Sequence, residues 1–461
     1  MRFNLLLIIS FSFPAEIFAQ ISFVKHLIKD DIGLGTSINA VDINNDGLED
    51  LITTIGQDYK VAFSWWENQG SNKYYEHKLD TVSLIGYDAA VADFNADGNM
   101  DLVRASQWKD NTTIWLNQGV RGFSKIIIDE GNIDHRKIIP VDFDNDFDID
   151  IISVVAAPSQ IRWLENKGNY NFIAHIIDTS FNFPTCIDVV DFDGDNDLDI
   201  LATAAWSHEV GLWINDGVQN FYKTILDKNF GDPITITSCD LDGDLKMEIV
   251  SAAFGRSAGD IPGTAKSYRP EMNKLVVWKY LGNKMFDSLE IGGNTKYKPI
   301  SITSGDIDLD GDTDLVWGSA GQGFIVIYLN AGNFKFERLE IITGLTTIYD
   351  VSLSDIDLDG DLDILGSGND QFAWWENPTA SDTTGGPRIL KIIASNVNVR
   401  SIPNVVTGKI LFRLNTNDIC SVVARTELEY EVDGFSKNKW YYICHKGRYG
   451  WVFGGLTNTR K

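Results

Sequence analysis

The chain has 461 residues, is 44% hydrophobic and 23% charged, and carries a formal net charge of −26 with a pI near 4.5. That is globular composition, long enough for two or three domains, and the acidity disfavours nucleic acid as a partner. Nearly half of the acidic side chains sit in seven short loops, so a divalent ion in each loop would cancel more than half of the net charge.

Residues 1–19 read as a secretory signal peptide. Met1-Arg2 is a short basic start, 3–13 is mostly apolar, and Ile17-Phe18-Ala19 before Gln20 resembles a signal-peptidase site. The apolar run is too short to span a bilayer. No later run approaches that length, so no transmembrane segment is expected. The expected location is secreted or cell-surface, in extracellular or periplasmic space, where calcium is abundant enough to fill weak sites.

Seven acidic loops follow, each D-x-D/N-x-D-x-x-x-D/E with an apolar, β-branched-rich run at its end. They begin at Asp42, Asp93, Asp142, Asp191, Asp240, Asp306 and Asp355, and the starts are 51, 49, 49, 49, 66 and 49 residues apart. A fixed period near 49 marks a repeat architecture. Around Asp191 the unit reads as four strands, at 185–190, 198–205, 210–214 and 221–226, with Asn215-Asp216-Gly217 as a turn. Four antiparallel strands in one period make one propeller blade.

The other units repeat these marks. Third strands carry an aromatic before Asn: Trp65 and Asn68, Trp115 and Asn117, Trp163 and Asn166, Trp213 and Asn215, Tyr328 and Asn330, Trp374 and Asn377. The fifth unit is looser, with Trp278 and Asn283. Packing between blades is the expected role of these aromatics. Fourth strands are expected near Tyr74, Phe123, Phe172, Phe221, Phe286 and Phe334. The last unit stops at Asn377-Pro378 without one. The N-terminal run Phe23-Val24-Lys25-His26-Leu27-Ile28 matches Phe172-Ile173-Ala174-His175-Ile176-Ile177 and supplies the missing strand, which would close the ring and remove its edges. The expected fold is all-β: a seven-bladed β-propeller over 21–377, with the N-terminal strand completing the last blade. The 66-residue interval places an insertion at 255–271.

Loops and pitch resemble the FG-GAP, or VCBS, repeat family, which includes the propeller head of integrin α chains. The resemblance covers about three-quarters of the chain.

Calcium takes six to eight hard oxygens, and side chains at positions 1, 3, 5 and 9 of a tight turn converge on one point. The expected ligands are Asp42, Asn44, Asp46 and Asp50; Asp93, Asn95, Asp97 and Asp101; Asp142, Asp144, Asp146 and Asp150; Asp191, Asp193, Asp195 and Asp199; Asp240, Asp242, Asp244 and Glu248; Asp306, Asp308, Asp310 and Asp314; Asp355, Asp357, Asp359 and Asp363. Position 7 would add a backbone carbonyl: Leu48, Asn99, Asp148, Asp197, Lys246, Asp312 and Asp361. Up to seven calcium ions follow. The fifth loop is the weakest, with Lys246 at position 7 and Glu248 at position 9. Two carboxylates ~4 Å apart repel by ~4 kcal/mol at an effective dielectric of ~20, so such loops need a cation. An EF-hand is excluded, because position 12 is Thr53, Arg104, Ser153, Ala202, Ser251, Trp317 and Gly366, none a carboxylate.

Residues 378–387 (PTASDTTGGP) read as a linker. In 388–461 basic residues outnumber acidic ones by 12 to 5. Asn398-Val399-Arg400-Ser401-Ile402-Pro403, Trp440-Tyr441-Tyr442 and Gly450-Trp451-Val452 resemble the entry and closing strands of bacterial SH3 domains. The resemblance implies a small β-barrel that binds cell-wall peptide, polymer or protein, with Trp440, Tyr441 and Trp451 as groove aromatics. Four cysteines are too few for a disulfide scaffold. Cys186 and Cys239 are expected as buried thiols, and Cys420 and Cys444 are candidates to face each other.

Without a catalytic motif, the function expected is a secreted, monomeric binding or adhesion protein whose partner is an extracellular protein, glycan or cell-wall polymer. The alternatives are a calcium-dependent carbohydrate-active enzyme, lyase or hydrolase, and a scaffold that displays the SH3-like domain. Candidate ligand residues on the propeller are Trp108, His135, Arg136, Trp206 and His208, with Tyr87, in loops on the face opposite the acidic loops. His26, His77 and His175 share one fourth-strand position, which indicates repeat packing. The residues five before each loop, Ser37, Asp88, Lys137, Cys186, Thr235, Ser301 and Asp350, should ring the mouth of a central channel.

Overall fold

The computed structural model describes residues 23–56, 63–80, 86–106, 112–130, 134–255, 273–282, 285–292, 298–321, 323–379, 389–401, 404–405, 409–416, 418–425, 432, 439–445 and 448–457. The signal-peptide segment, Trp108, Asn283 and most of the 255–271 insertion and the 378–387 linker lie outside the described residues. Among the described residues there is no α-helix, and no helix is long and apolar enough to cross a membrane.

Each repeat folds as an antiparallel sheet. In the unit around Asp191 the strands are Pro184–Val190, Asp199–Ala204, Glu209–Asn215 and Phe221–Asp227, paired in sequence order. The second strand, Asp-Ile-Leu-Ala-Thr-Ala, is buried on both faces. That explains its continuous apolar run, since the sheet is covered by a neighbour on each side. The fourth strand forms the more exposed outer edge. Among the described residues five such four-stranded sheets recur. In the sixth repeat the fourth strand starts at Phe336, because Asn333 and Phe334 adopt left-handed turn conformations.

The first and last repeats share one six-stranded sheet. Its central strand, Val24–Val41, is 18 residues long. The N-terminal half pairs with Asp363–Glu376 through Val24↔Glu376, His26↔Trp374 and Leu27↔Ala373. After a register shift, the C-terminal half pairs with Asp50–Ile55 through Ile38↔Thr53 and Val41↔Asp50. The N-terminal strand thus completes the last repeat and opens the first.

Inner strands touch in succession: Val24–Val41, Gly86–Ala92, His135–Val141, Pro184–Val190, Asp232–Cys239, Lys298–Gly305 and Ile348–Ser354, the last lying against the first. This is β-propeller wiring. Cores lie between consecutive sheets. Phe143, Ile152, Val154 and Trp163 of one repeat pack with Ile187, Ile200, Ala202 and Trp213 of the next.

Aspartates on three inner strands fasten their sheet to a neighbour. Asp350 accepts from Ile38 N (3.1 Å), Asp88 from Ile138 N (3.1 Å) and Asp188 from Ser238 N (2.7 Å). The expected ring residues meet here: Ser301 donates to Asp350 (2.8 Å), and Asp88 is approached by Ser37 (3.5 Å) and Lys137 (3.1 Å). Burial opposes charge on Lys137, but Asp88 and Asp350 outweigh it and raise its pKa.

His26, His77 and His175 do serve the repeat. They stack on Trp374, Trp65 and Trp163 with centroids 4.3, 4.1 and 4.7 Å apart. Each Nε2 meets Glu376, Glu67 or Glu165 at 2.7–2.9 Å.

Residues 389–457 form a separate six-stranded sheet ordered Ile389–Lys391, Ile419–Arg425, Trp440–His445, Arg448–Phe453, Val397–Arg400 and Ile410–Leu414. Its core includes Leu390, Val397, Val399, Tyr441, Ile443 and Val452. Cys186 is half-buried, and Cys239 and Cys420 are buried. Ser421, not Cys420, stands opposite Cys444. Burial pushes the Cys239 thiol up to about 12, which makes it unreactive.

Candidate metal centres

One hydrogen-bond pattern recurs in all seven acidic loops. A position-1 carboxylate oxygen accepts from the backbone N–H of position 6, as in Asp42–Gly47 (3.0 Å), Asp191–Asn196 (3.0 Å) and Asp355–Gly360 (3.1 Å). Position 5 accepts from the N–H of position 7, as in Asp97–Asn99 (2.8 Å) and Asp310–Asp312 (2.9 Å). Position 9 accepts from the N–H of position 2, as in Asp199–Phe192 (2.9 Å) and Glu248–Leu241 (2.9 Å).

The turn needs position 6 in the left-handed region. Gly47, Gly98, Gly311 and Gly360 take it freely, and Phe147, Asn196 and Leu245 take it at φ 74, 73 and 67°. For Phe and Leu that conformation is strained. Both side chains are exposed, so the strain is set by the loop's bonding and not by core packing.

These bonds leave other carboxylate oxygens converging. Ligand atoms lie within 4.8 Å of one another in Asp142–Asp144–Asp146, Asp191–Asp193–Asp199, Asp240–Asp242–Glu248, Asp306–Asp308–Asp314 and Asp355–Asp357–Asp359. These clusters could hold a metal ion. Buried oxygens without a hydrogen-bond donor point the same way: Oδ1 of Asp142, Asp144, Asp242 and Asp306, and Oδ2 of Asp359. An unpaired buried acceptor costs ~1–3 kcal/mol, and more when charged.

The position-9 carboxyls are pushed up, chiefly by burial and then by neighbouring carboxylates. Asp101 and Asp150 reach about 6, Asp50, Asp199, Glu248 and Asp314 about 7, and Asp363 about 9. A hard cation relieves that crowding, and an all-oxygen donor set suits one. The first two loops carry Asn44 and Asn95 at position 3, each hydrogen-bonded to its position-5 Asp.

Sequence reasoning missed how the third-strand asparagines serve the loops. The backbone N–H of Asn68, Asn117, Asn166, Asn215, Asn330 and Asn377 donates to the position-9 carboxylate at 2.7–2.8 Å. Their side chains clamp nearby loop carbonyls, and Asn117, Asn330 and Asn377 reach the preceding repeat at Ile43 O, Leu241 O and Ile307 O (2.8–2.9 Å). The fixed Asn after each third-strand aromatic was the visible signal. The partner carbonyls lie up to 89 residues away, which no local pattern reveals.

The candidate ligand residues separate on inspection. His135 is fully buried at the head of its strand and bonded to Asp129 (3.0 Å), which also meets Arg162 (2.7 Å). His208 is buried and bonded to the Gly231 carbonyl. Neither is the exposed loop residue expected: His135 belongs to the strand His135–Val141, and the His208 ring is held against Gly231 and Asp232 at the start of the strand Asp232–Cys239. Trp440 and Tyr441 are buried at 2% and 4% exposure, in the interior of the C-terminal sheet and not in an open groove.

Arg136 and Trp206 are accessible. The Arg136 guanidinium lies 4.1 Å from the Tyr87 ring centre and 5.2 Å from that of Phe183, on which Trp206 stacks at 4.4 Å. This row crosses three sheets at the end opposite the acidic loops, and Trp206 is 49% exposed. Phe183 went unnoticed in the sequence.

Residues 42–104, 142–202 and 306–366 match the model of the FG-GAP-like repeat. No curated protein matches the sequence. Among solved structures 415 chains match. One is from the crystal structure of BBS1N in complex with ARL6DN, soaked with mercury, at 12% identity and TM-score 0.52, covering 78% of this chain and 97% of that chain. The likeness shows the fold.

Proposed function

We propose that this chain is an exported, calcium-stabilised recognition protein. Its repeats make a seven-bladed propeller, the acidic loops hold calcium, and 388–461 is an SH3-like second binding module. In the loops that take calcium, the position-7 carbonyl completes the metal shell. Two modest sites on one chain gain avidity through their linker, which suits a cell-wall polymer, glycan or extracellular protein.

The observation that carries the binding role is the row Tyr87–Arg136–Phe183–Trp206. Each aromatic face in it is held in place by its neighbour, so little side-chain freedom is lost when a ligand docks. Aromatic and arginine side chains dominate binding energetics when set in a rigid surround.

A screen of the exported form against peptidoglycan fragments, glycans and extracellular proteins, with and without chelator, tests the reading. Trp206→Ala and Arg136→Met are expected to weaken binding by tenfold or more, about 1.4 kcal/mol. Unchanged affinity in both variants would sink the assignment of this face. Release of new reducing ends or unsaturated sugar would turn the reading towards an enzyme.

A further inference from the structure

The fifth repeat departs from the others at one place. In five repeats an asparagine of the third strand pairs with the aromatic that opens the fourth: Asn68↔Tyr74, Asn117↔Phe123, Asn166↔Phe172, Asn215↔Phe221 and Asn330↔Phe336. In the fifth repeat the same register pairs Tyr280 with Phe286. Tyrosine therefore stands where the other repeats carry the loop-clamping asparagine.

The residue just before this position also differs. Elsewhere it is Glu67, Leu116, Glu165, Ile214, Leu329 or Glu376, and here it is Lys279. Acidic and apolar residues bring no cation to their loops from this position. Lys279 does: its ammonium hydrogen-bonds Asp242 and lies 3.2 Å from Asp244 Oδ2 and 4.0 Å from Glu248 Oε1. Those are positions 3, 5 and 9 of the fifth loop, three of the four side chains that would surround a metal. Position 7 of the same loop is Lys246, a second positive charge.

We infer that Lys279 is the resident cation of the fifth loop and occupies the place that metal takes in the other loops. The inference rests on the calcium reading for those other loops. An ammonium is a compact point charge with three donors, and here those donors meet carboxylates that would otherwise repel one another. Because the lysine is tethered to the adjacent strand, its local concentration does not fall when the medium is depleted of metal. A divalent ion would have to displace it and sit near both its charge and that of Lys246. The fifth loop thus stays closed with or without metal, and calcium sites number at most six.

Tyr280 has a second use. Without an asparagine to reach the loop, its ring packs 5.6 Å from Phe192 and 5.1 Å from Phe286. It lines a cleft of about 270 Å³ between the fourth and fifth repeats, with Leu212, Ile214 and Tyr222.

The test counts calcium on the full chain after chelation and dialysis, by atomic emission, and records melting with and without calcium. Lys279→Leu places there the residue found at Leu116 and Leu329. It is expected to bind one more equivalent of calcium than the wild type, to melt lower than the wild type in chelator, and to recover in millimolar calcium. Asp242→Asn with Asp244→Asn in the otherwise wild-type chain is expected to leave the count unchanged. Equal counts for Lys279→Leu and wild type, or a count lowered by one in the double Asp variant, overturns the inference. If the wild type bound no calcium at all, the calcium reading would fall. The metal-free melts would then decide the lysine's role, with a lower melt for Lys279→Leu supporting it and an equal one overturning it.

Discussion

Asp129 shows how one residue's protonation is written into the fold. Burial would raise its carboxyl, but the hydrogen bond from His135 and the charge of Arg162 outweigh burial and hold it below the usual range. His135 is itself pushed down, chiefly by burial and against the pull of Asp129. Both shifts have the same sign for stability. A lowered histidine is neutral in the fold and charged in the unfolded chain below its ordinary value of ~6.5, so acidification favours unfolding. A lowered aspartate gives stability that is present above ~3.9 and is lost as pH falls through the folded value. His135→Gln is therefore expected to flatten the dependence of urea-unfolding free energy on pH between 7 and 5. Asp129→Asn, which leaves Arg162 buried without its partner, should cost about 3 kcal/mol at pH 7, and the cost should shrink below pH 4. His135 was legible as a histidine near a turn but not as a buried one, because Asp129 and Arg162 come from two other strands.

The repeated element is a loop welded to the sheet behind it. Positions 1, 3, 5 and 9 were readable because oxygen-bearing side chains at these fixed offsets crowd negative charge that only a cation offsets. The weld was not readable, since it joins backbone groups brought together by strand pairing. Its strength can be measured. Asn330 donates to Leu241 O and Thr313 O (2.8 and 3.1 Å) and accepts from Gly332 N (3.1 Å). Asn330→Ala strands the buried Leu241 carbonyl and the part-buried Thr313 carbonyl and is expected to lower unfolding free energy by about 1–3 kcal/mol. Calcium should act on the same element from the other side. Each site filled at a hundred times its dissociation constant adds about 2.7 kcal/mol, so calorimetric melting in millimolar calcium should exceed that in chelator by many degrees. Identical melts in the two media would remove the metal from the account of these loops.

At the scale of the molecule, period and strand count made the propeller legible, and the Phe23–Ile28 match to the third repeat's fourth strand anticipated how the sheets join. The C-terminal segment was legible in outline only, because aromatic residues suited to a groove are equally suited to the core they occupy. The join is a single strand, and losing it should be costly. Leu27 is half exposed, so Leu27→Pro removes little packing. It does break pairing with Ala373, since proline cannot donate to the ladder. The variant is expected to aggregate or to melt well below the wild type, with Trp374 and Trp375 exposed to fluorescence quenchers, and a synthetic peptide spanning 23–33 should restore it in part. The same join dictates when the fold can form at all. His26 and Glu376, bonded at 2.7 Å, are 350 residues apart in the chain. At about 5–20 residues per second of synthesis, the earliest strand waits roughly 20–70 s for its mate to be made. The nascent protein must be carried through that interval unfinished, and whatever escorts it during birth is as much a condition of its shape as any contact inside it.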